Sequence, residues 1–326
     1  MSRGFLLGKF LPPHRGHLML CDFARHYCDE LTILVASNPH EPIAGALRYE
    51  WMRELVPNAR IVHFDKDVPQ EPKDHPDFWR IWREIVASVH PEPIDFVFTS
   101  ETYGERLALE TGAKHVPFDP GRHVAAISGT AIRDNPYRHW DFLPAPVRAY
   151  YVKTVCLFGP ESTGKSTLAR KLAAHYGTIA APEYGRTYCE EFGTYCTADD
   201  LRAIVKGQRA LEYAAKRQAN RFLILDTDRL MTALWADMLL GVRPPDLDAI
   251  EETADFYIFP DIDIPWADDG TRYFPGDDAR RRFYAACRDE LVKRGLPFAS
   301  IGGEHDNRLK AAIAAVDKFF PEHFGP

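Results

Sequence analysis

No two cysteines of this chain form a Cys-x-x-Cys pair, so zinc-finger spacing is absent. The six present, Cys21, Cys28, Cys156, Cys189, Cys196 and Cys287, are scattered over 326 residues, the pattern of a reduced, cytoplasmic protein. No run approaches the ~20 consecutive apolar residues that span a bilayer, so no membrane-embedded segment is expected. The opening Met1 to Gly8 has one short apolar run and no small-residue cleavage site, which argues against a secretory leader. A basic excess is missing too. The formal net charge is −7, whereas nucleic-acid binders usually carry a basic face or stripe. Arg280-Arg281-Arg282 is too short to count as a DNA-binding arm, and no nucleic-acid partner is expected. Low-complexity segments are lacking, as are internal repeats of about 20–50 residues.

What is present is a globular composition, 45% apolar, in a chain long enough for two domains at ~100–200 residues each. Apolar runs of strand length lie at Arg3 to Gly8, Leu31 to Ser37, Arg60 to Phe64 and Ile94 to Thr99, with helical periods between them at Arg48 to Val56 and Phe78 to Val89. The same alternation restarts at Thr154 to Phe158 and continues through Thr178 to Ala181, Phe222 to Leu225, Phe256 to Phe259 and Phe298 to Ile301. Helical periods at Ala198 to Asn220 and Asp277 to Arg294 fill the gaps. Alternation of this kind predicts an α/β chain of two doubly wound parallel-sheet domains, residues 1–147 and 148–326. The join is expected near Pro144-Ala145-Pro146, where proline discourages helix or strand, with a short ordered connection.

Two phosphate-binding constellations follow first strands. Gly8-Lys9-Phe10-Leu11-Pro12-Pro13-His14-Arg15-Gly16-His17 sits after Arg3 to Gly8 and leads into a helix from Leu18. A helix N-terminus at the carboxyl end of a parallel strand offers free N–H groups to phosphate. Gly16 admits a ligand close to the backbone, and His14 and His17 can donate to phosphate oxygens. Ser128-Gly129-Thr130-Ala131-Ile132-Arg133 offers helix-capping hydroxyls at Ser128 and Thr130 and a guanidinium fork at Arg133, suited to the β- and γ-phosphates of ATP. Donors of these kinds can position phosphates and stabilise their charge without a protein nucleophile, with Mg²⁺ as a further counter-charge.

The second constellation, Gly159-Pro160-Glu161-Ser162-Thr163-Gly164-Lys165-Ser166-Thr167, matches the P-loop in full. It lies between a strand and a helix, as the motif requires. Its amides cradle phosphates, Lys165 reaches the β- and γ-phosphates of ATP, and Ser166 ligates Mg²⁺. Asp226 ends an apolar strand and is the expected second Mg²⁺ ligand, with Asp228 a neighbouring candidate or a helix cap. Glu183 is the candidate base for a substrate hydroxyl; the bland alternative is an acid at a helix start. Trp266 to Arg282 is rich in Asp, Gly and Arg and reads as a lid, in which Arg272, Arg280 and Arg281 would clamp the transferring phosphate and Trp266 would stack on a substrate ring.

The pattern G-x-F-x-P-x-H-x-G-H with Ile127-Ser128-Gly129-Thr130-Ala131-Ile132-Arg133 resembles the Rossmann-like nucleotidyltransferase superfamily. Followed by a P-loop kinase, and with Glu183-Tyr184-Gly185-Arg186 and Trp266 to Arg272, the whole chain resembles the NadR family of bifunctional nicotinamide mononucleotide adenylyltransferases and ribosylnicotinamide kinases. The resemblance implies phosphorylation of nicotinamide riboside by residues 148–326, then adenylyl transfer to the mononucleotide by residues 1–147, giving NAD. Some relatives carry an N-terminal helix-turn-helix. Here the first strand begins at Arg3, so no repressor role is expected. Trp51, Trp79 and Trp82 are aromatics available to a pyridine ring, though each reads first as core. Open alternatives are a first domain that senses NAD without catalysis, and a fusion acting on another phosphate substrate such as phosphopantetheine. A homo-oligomer is left open.

Overall fold

The computed structural model describes residues 1–265 and 277–323. The chain divides into two compact units, Met1–Val147 and Arg148–Pro326. In the first, β1 (Arg3–Gly8), α1 (Arg15–Tyr27), β2 (Glu30–Ser37), α2 (Gly45–Leu55), β3 (Arg60–Asp65), α3 (Phe78–Val89), β4 (Phe96–Thr99), α4 (Gly104–Thr111), β5 (Lys114–Pro117) and α5 (Gly129–Asp134) follow in order. The five strands form one parallel sheet ordered β3-β2-β1-β4-β5. Side chains alternate across it, as the strand period demands. Phe5, Leu34 and Ala36 face one layer, where α3 delivers Phe78, Trp82, Ile85 and Val86. Leu6, Ile33 and Val35 face the other, against Leu20, Ala24, Met52 and Phe98. Burial on both faces is why β2 reads as an unbroken apolar run.

Helix α6 (Ala145–Tyr151) crosses the boundary between the units. The expectation that Pro144 and Pro146 interrupt regular structure is therefore corrected. Pro146 sits in the first turn, where its missing N–H costs no hydrogen bond.

The second unit runs β6 (Lys153–Leu157), α7 (Lys165–His175), β7 (Ala180–Ala181), α8 (Tyr184–Phe192), α9 (Ala198–Lys216), β8 (Phe222–Leu225), α10 (Arg229–Leu240), α11 (Pro245–Asp248), β9 (Phe256–Pro260), α12 (Asp277–Lys293), β10 (Phe298–Ile301) and α13 (His305–Phe319). Its parallel sheet is ordered β10-β9-β6-β8-β7. Leu168 and Leu172 of α7 and Val316 of α13 pack on Val155, Ile224 and Ile258 in one core layer. Strand β7 has two residues where four were expected. Among the described residues no helix is long and apolar enough to cross a membrane.

Candidate active sites

In the first unit the strand order reverses between β1 and β4, which places a crevice at their carboxyl ends. A cleft of about 640 Å³ opens there, lined by Gly8 to Leu11, His17, Thr99 to Tyr103, Arg122, Ser128 to Thr130 and Arg133. The loop after β1 turns at Phe10, whose φ of 47° lies in the left-handed region while its ring is buried 5.0 Å from that of His17. His14 caps α1, its Nδ1 accepting the Gly16 N–H at 3.1 Å. That bond leaves the proton of neutral His14 on Nε2. A Cβ on Gly16 would press on the His14 ring at 3.1 Å, so glycine eases the cap.

His17 stacks on His14 and lines the cleft; its Nδ1 is buried without a hydrogen-bond partner. Burial, helped by the Arg122 cation, lowers His14 to about 4. Burial and the neighbouring His14 hold His17 well below the ordinary imidazole value. Both rings are neutral donors and acceptors at neutral pH.

The structure brings the two halves of this constellation together. Ser128 caps α5, accepting from the Ala131 N–H. Arg133 donates to the Leu11 carbonyl at 2.6 Å and to the Thr130 hydroxyl at 3.1 Å. Gly129 permits this contact, since a Cβ there would lie 2.7 Å from the Leu11 carbonyl oxygen. Trp79 and Trp82 line the cleft; Trp51 does not and is buried in α2. Trp82 donates its indole N–H to the Pro69 carbonyl. Two arginines escaped the sequence reading. Arg48, fully buried, holds the Lys9 carbonyl at 2.6 Å and pairs with Glu41, and Arg122 lines the cleft beside Glu101. Neither belongs to a motif, so only tertiary contact reveals them.

In the second unit the loop after β6 winds through positive φ at Gly159, Ser162 and Gly164 before α7 begins at Lys165. Lys165 Nζ donates to the Pro160 carbonyl at 2.7 Å, as does the Thr163 hydroxyl at 3.0 Å. Two buried arginines hold the loop from outside: Arg280 donates to the Ser162 carbonyl at 3.0 Å and Arg308 to the Thr163 carbonyl at 2.8 Å. Arg280 thus lies against the loop backbone, and Arg281 is exposed. Trp266 and Arg272 lie outside the described residues.

A cleft of about 630 Å³ is lined by Glu161 to Thr167, Arg170, Glu183, Arg186 and Asp226. Beside it a smaller pocket, about 80 Å³, has an apolar wall of Leu201, Ile204, Met231, Trp235 and Leu239, with Cys189 and Cys196 3.9 Å apart at their sulfurs. None of the six cysteines forms a disulfide. Glu161, Lys165, Glu183 and Arg186 line both spaces.

Glu183 occupies the cap position of α8, yet its side chain makes no capping bond. Burial pushes its pKa above the ordinary glutamate value, against the pull of Lys165. Asp226 is likewise raised by burial against Lys165; Ser166 hydrogen-bonds it, while its Oδ1 is buried and unpartnered. Asp228 is the helix cap: it accepts from the Leu230 N–H at 3.1 Å and from the Tyr257 hydroxyl at 2.5 Å.

Residues 5–135 match the family described as Cytidylyltransferase-like, and residues 154–308 match the AAA domain. Over an alignment of 354 positions the chain is 30% identical to the trifunctional NAD biosynthesis/regulator protein NadR of Escherichia coli (strain K12), covering 98% of this chain and 83% of that protein. A nicotinamide-nucleotide adenylyltransferase of Pyrococcus horikoshii is 28% identical over 193 residues, 56% of this chain and 100% of that protein. The solved structure of a NadR protein in complex with NAD and AMP-PNP shares the fold, with a TM-score of 0.77, 23% identity and coverage of 98% and 96%.

Proposed function

The chain belongs to the NadR family, and from that premise we propose that it makes NAD from nicotinamide riboside in two ATP-dependent steps, one per unit. The observation that supports the reading is a pair of clefts, each lined by one of the phosphate-binding motifs at the carboxyl end of its own parallel sheet. The nicotinamide substrate comes from the relatives, which are named for NAD biosynthesis and for adenylyl transfer to nicotinamide nucleotide.

In the second unit ATP phosphates lie in the P-loop cleft, and the riboside reaches from that cleft into the adjoining pocket, whose about 80 Å³ takes only part of it. Glu183 and Lys165 line both spaces, as a base and a cation at the point of transfer should. The 5′-hydroxyl oxygen attacks the γ-phosphorus, Glu183 takes its proton, and ADP leaves. A base with a raised pKa is better matched to a neutral medium. Mg²⁺ fits this site: the Ser166 hydroxyl and the unpartnered Oδ1 of Asp226 are oxygen ligands of the kind it selects. When bound it would neutralise phosphate charge.

In the first unit a 5′-phosphate oxygen of the mononucleotide attacks the α-phosphorus of ATP and pyrophosphate leaves. No proton need be removed, so neutral His14 and His17 suit the task as hydrogen-bonding groups. Arg133 and the α5 cap supply donors for the departing phosphates. The edge of Trp79 or Trp82 in the cleft is available to the pyridine ring.

The test is pyrophosphate release from ATP and Mg²⁺ with a panel of phosphate substrates. Release with nicotinamide mononucleotide and not with phosphopantetheine is expected. Release with phosphopantetheine alone, or with neither, would overturn the assignment of the first unit. Chromatography after supplying nicotinamide riboside should show mononucleotide and ADP from the second.

A further inference from the structure

Gln208 lies on the buried stripe of α9 with Leu201, Ile204 and Glu212. Its Oε1 accepts the Tyr184 N–H at 2.8 Å. Its Nε2 donates to the Thr227 carbonyl at 3.4 Å and to Glu212 Oε1 at 3.3 Å. Tyr184 follows Glu183, and Thr227 follows Asp226. One side chain therefore ties together the backbone just beyond each of the two carboxylates that serve phosphoryl transfer, although those carboxylates stand at the ends of different strands, β7 and β8.

Three features mark this as a built arrangement. The Tyr184 N–H belongs to the first turn of α8, where no intrahelical acceptor exists. Thr227 is buried with φ at 122°, a conformation β-branched residues avoid and keep only where surroundings impose it. Gly207 lets the helices meet: a Cβ there would lie 2.0 Å from the Tyr184 ring. Only a side-chain amide carries an acceptor and a donor on one planar end with this reach. Glutamate lacks the donor, asparagine is a methylene short and methionine has neither.

We propose that Gln208 is a positioning residue for the kinase reaction, fixing Glu183 relative to Asp226 through the Tyr184 amide and the Thr227 carbonyl. The inference rests on the reading of Glu183 as base and Asp226 as metal ligand. Gln208 also lines the riboside pocket, so the test must separate positioning from direct contact with the acceptor.

The experiment is a double-mutant cycle on the full chain, measuring riboside phosphorylation with ATP and Mg²⁺ for the parent, Gln208→Met, Glu183→Gln and the double variant. Gln208→Met should lower kcat about 10–100-fold, the cost of a misplaced reacting group, with KM for ATP and riboside changed by less than about threefold. In the Glu183→Gln background the same change should cost less than about threefold further, because residues acting as one unit are not additive. Unchanged kcat, an effect confined to riboside KM, or losses that multiply would each overturn the proposal. If Glu183→Gln alone keeps full turnover, the base assignment itself falls, and positioning of it falls too. Should Gln208→Met fail to fold, Gln208→Asn keeps a buried amide but cannot reach both partners, and the cycle is read in the same way.

Discussion

The imidazoles of His14 and His17 stack with centroids 3.8 Å apart and 27° between their planes. Two such rings cannot both carry charge cheaply at this distance, and their burial agrees with neutral forms. The arrangement sets one uncharged ring, His17, in the wall of the first cleft with His14 stacked on it, where a purely electrostatic design would place cations.

A pH dependence follows, with a definite sign. Both histidines have ordinary values near 6.5 when unfolded, and His14 falls to about 4 when folded. Between those limits the unfolded chain binds more protons, so stability rises with pH and is lost as pH falls from 6.5 towards 4. His14→Asn keeps a capping oxygen for Gly16 while removing one titrating group. Melting temperatures across this range should fall less steeply for the variant than for the parent. Parallel curves would show that His14 does not carry the effect.

Glu183→Gln should lower kinase turnover by ~10²–10⁴-fold, the usual contribution of a positioned base, with little change in ATP affinity. Because burial raises the Glu183 value, the parent's turnover should climb with pH through a limb above the ordinary glutamate range, and the variant should lack that limb. Turnover retained at parental levels would make Glu183 a helix-start acid.

Arg308 donates to the carbonyls of Thr163, Asp261 and Gly303 and pairs with Asp263. Removing it leaves buried acceptors unpaired and a P-loop peptide unheld. Because Asp263 is itself exposed, Arg308→Ala should cost about 1–3 kcal/mol, the penalty for leaving a buried carbonyl unpaired, read by denaturant unfolding of the full chain. A loss below about 1 kcal/mol would place Arg308 among replaceable surface cations.

Much of the architecture was legible in the residues. Alternating or continuous apolar runs marked Arg3–Gly8, Phe222–Leu225 and Phe298–Ile301, and the spacing of Phe78, Trp82, Ile85 and Val86 marked α3. β5 (Lys114–Pro117) left no such trace: it is a four-residue edge strand, partly exposed and ending in proline. The P-loop and the His14–His17 segment were visible because phosphate chemistry needs contiguous residues. Gln208, Arg48 and Arg308 were invisible for the opposite reason. Each acts on backbone atoms that are distant in sequence, and a lone Gln or Arg in a helix announces nothing until helices and strands are assembled.

If one chain holds two independent ATP-using sites, two single-site variants assayed with two substrates should lose different reactions. Lys165→Ala removes the ammonium held in the P-loop, an electrostatic contribution commonly worth ~3–4 kcal/mol or about 10²–10³ in rate. His17→Ala removes the ring that lines the first cleft. Riboside phosphorylation should collapse in Lys165→Ala while adenylyl transfer to supplied mononucleotide persists, and His17→Ala should show the reverse. Loss of both reactions in either folded variant would contradict two independent sites.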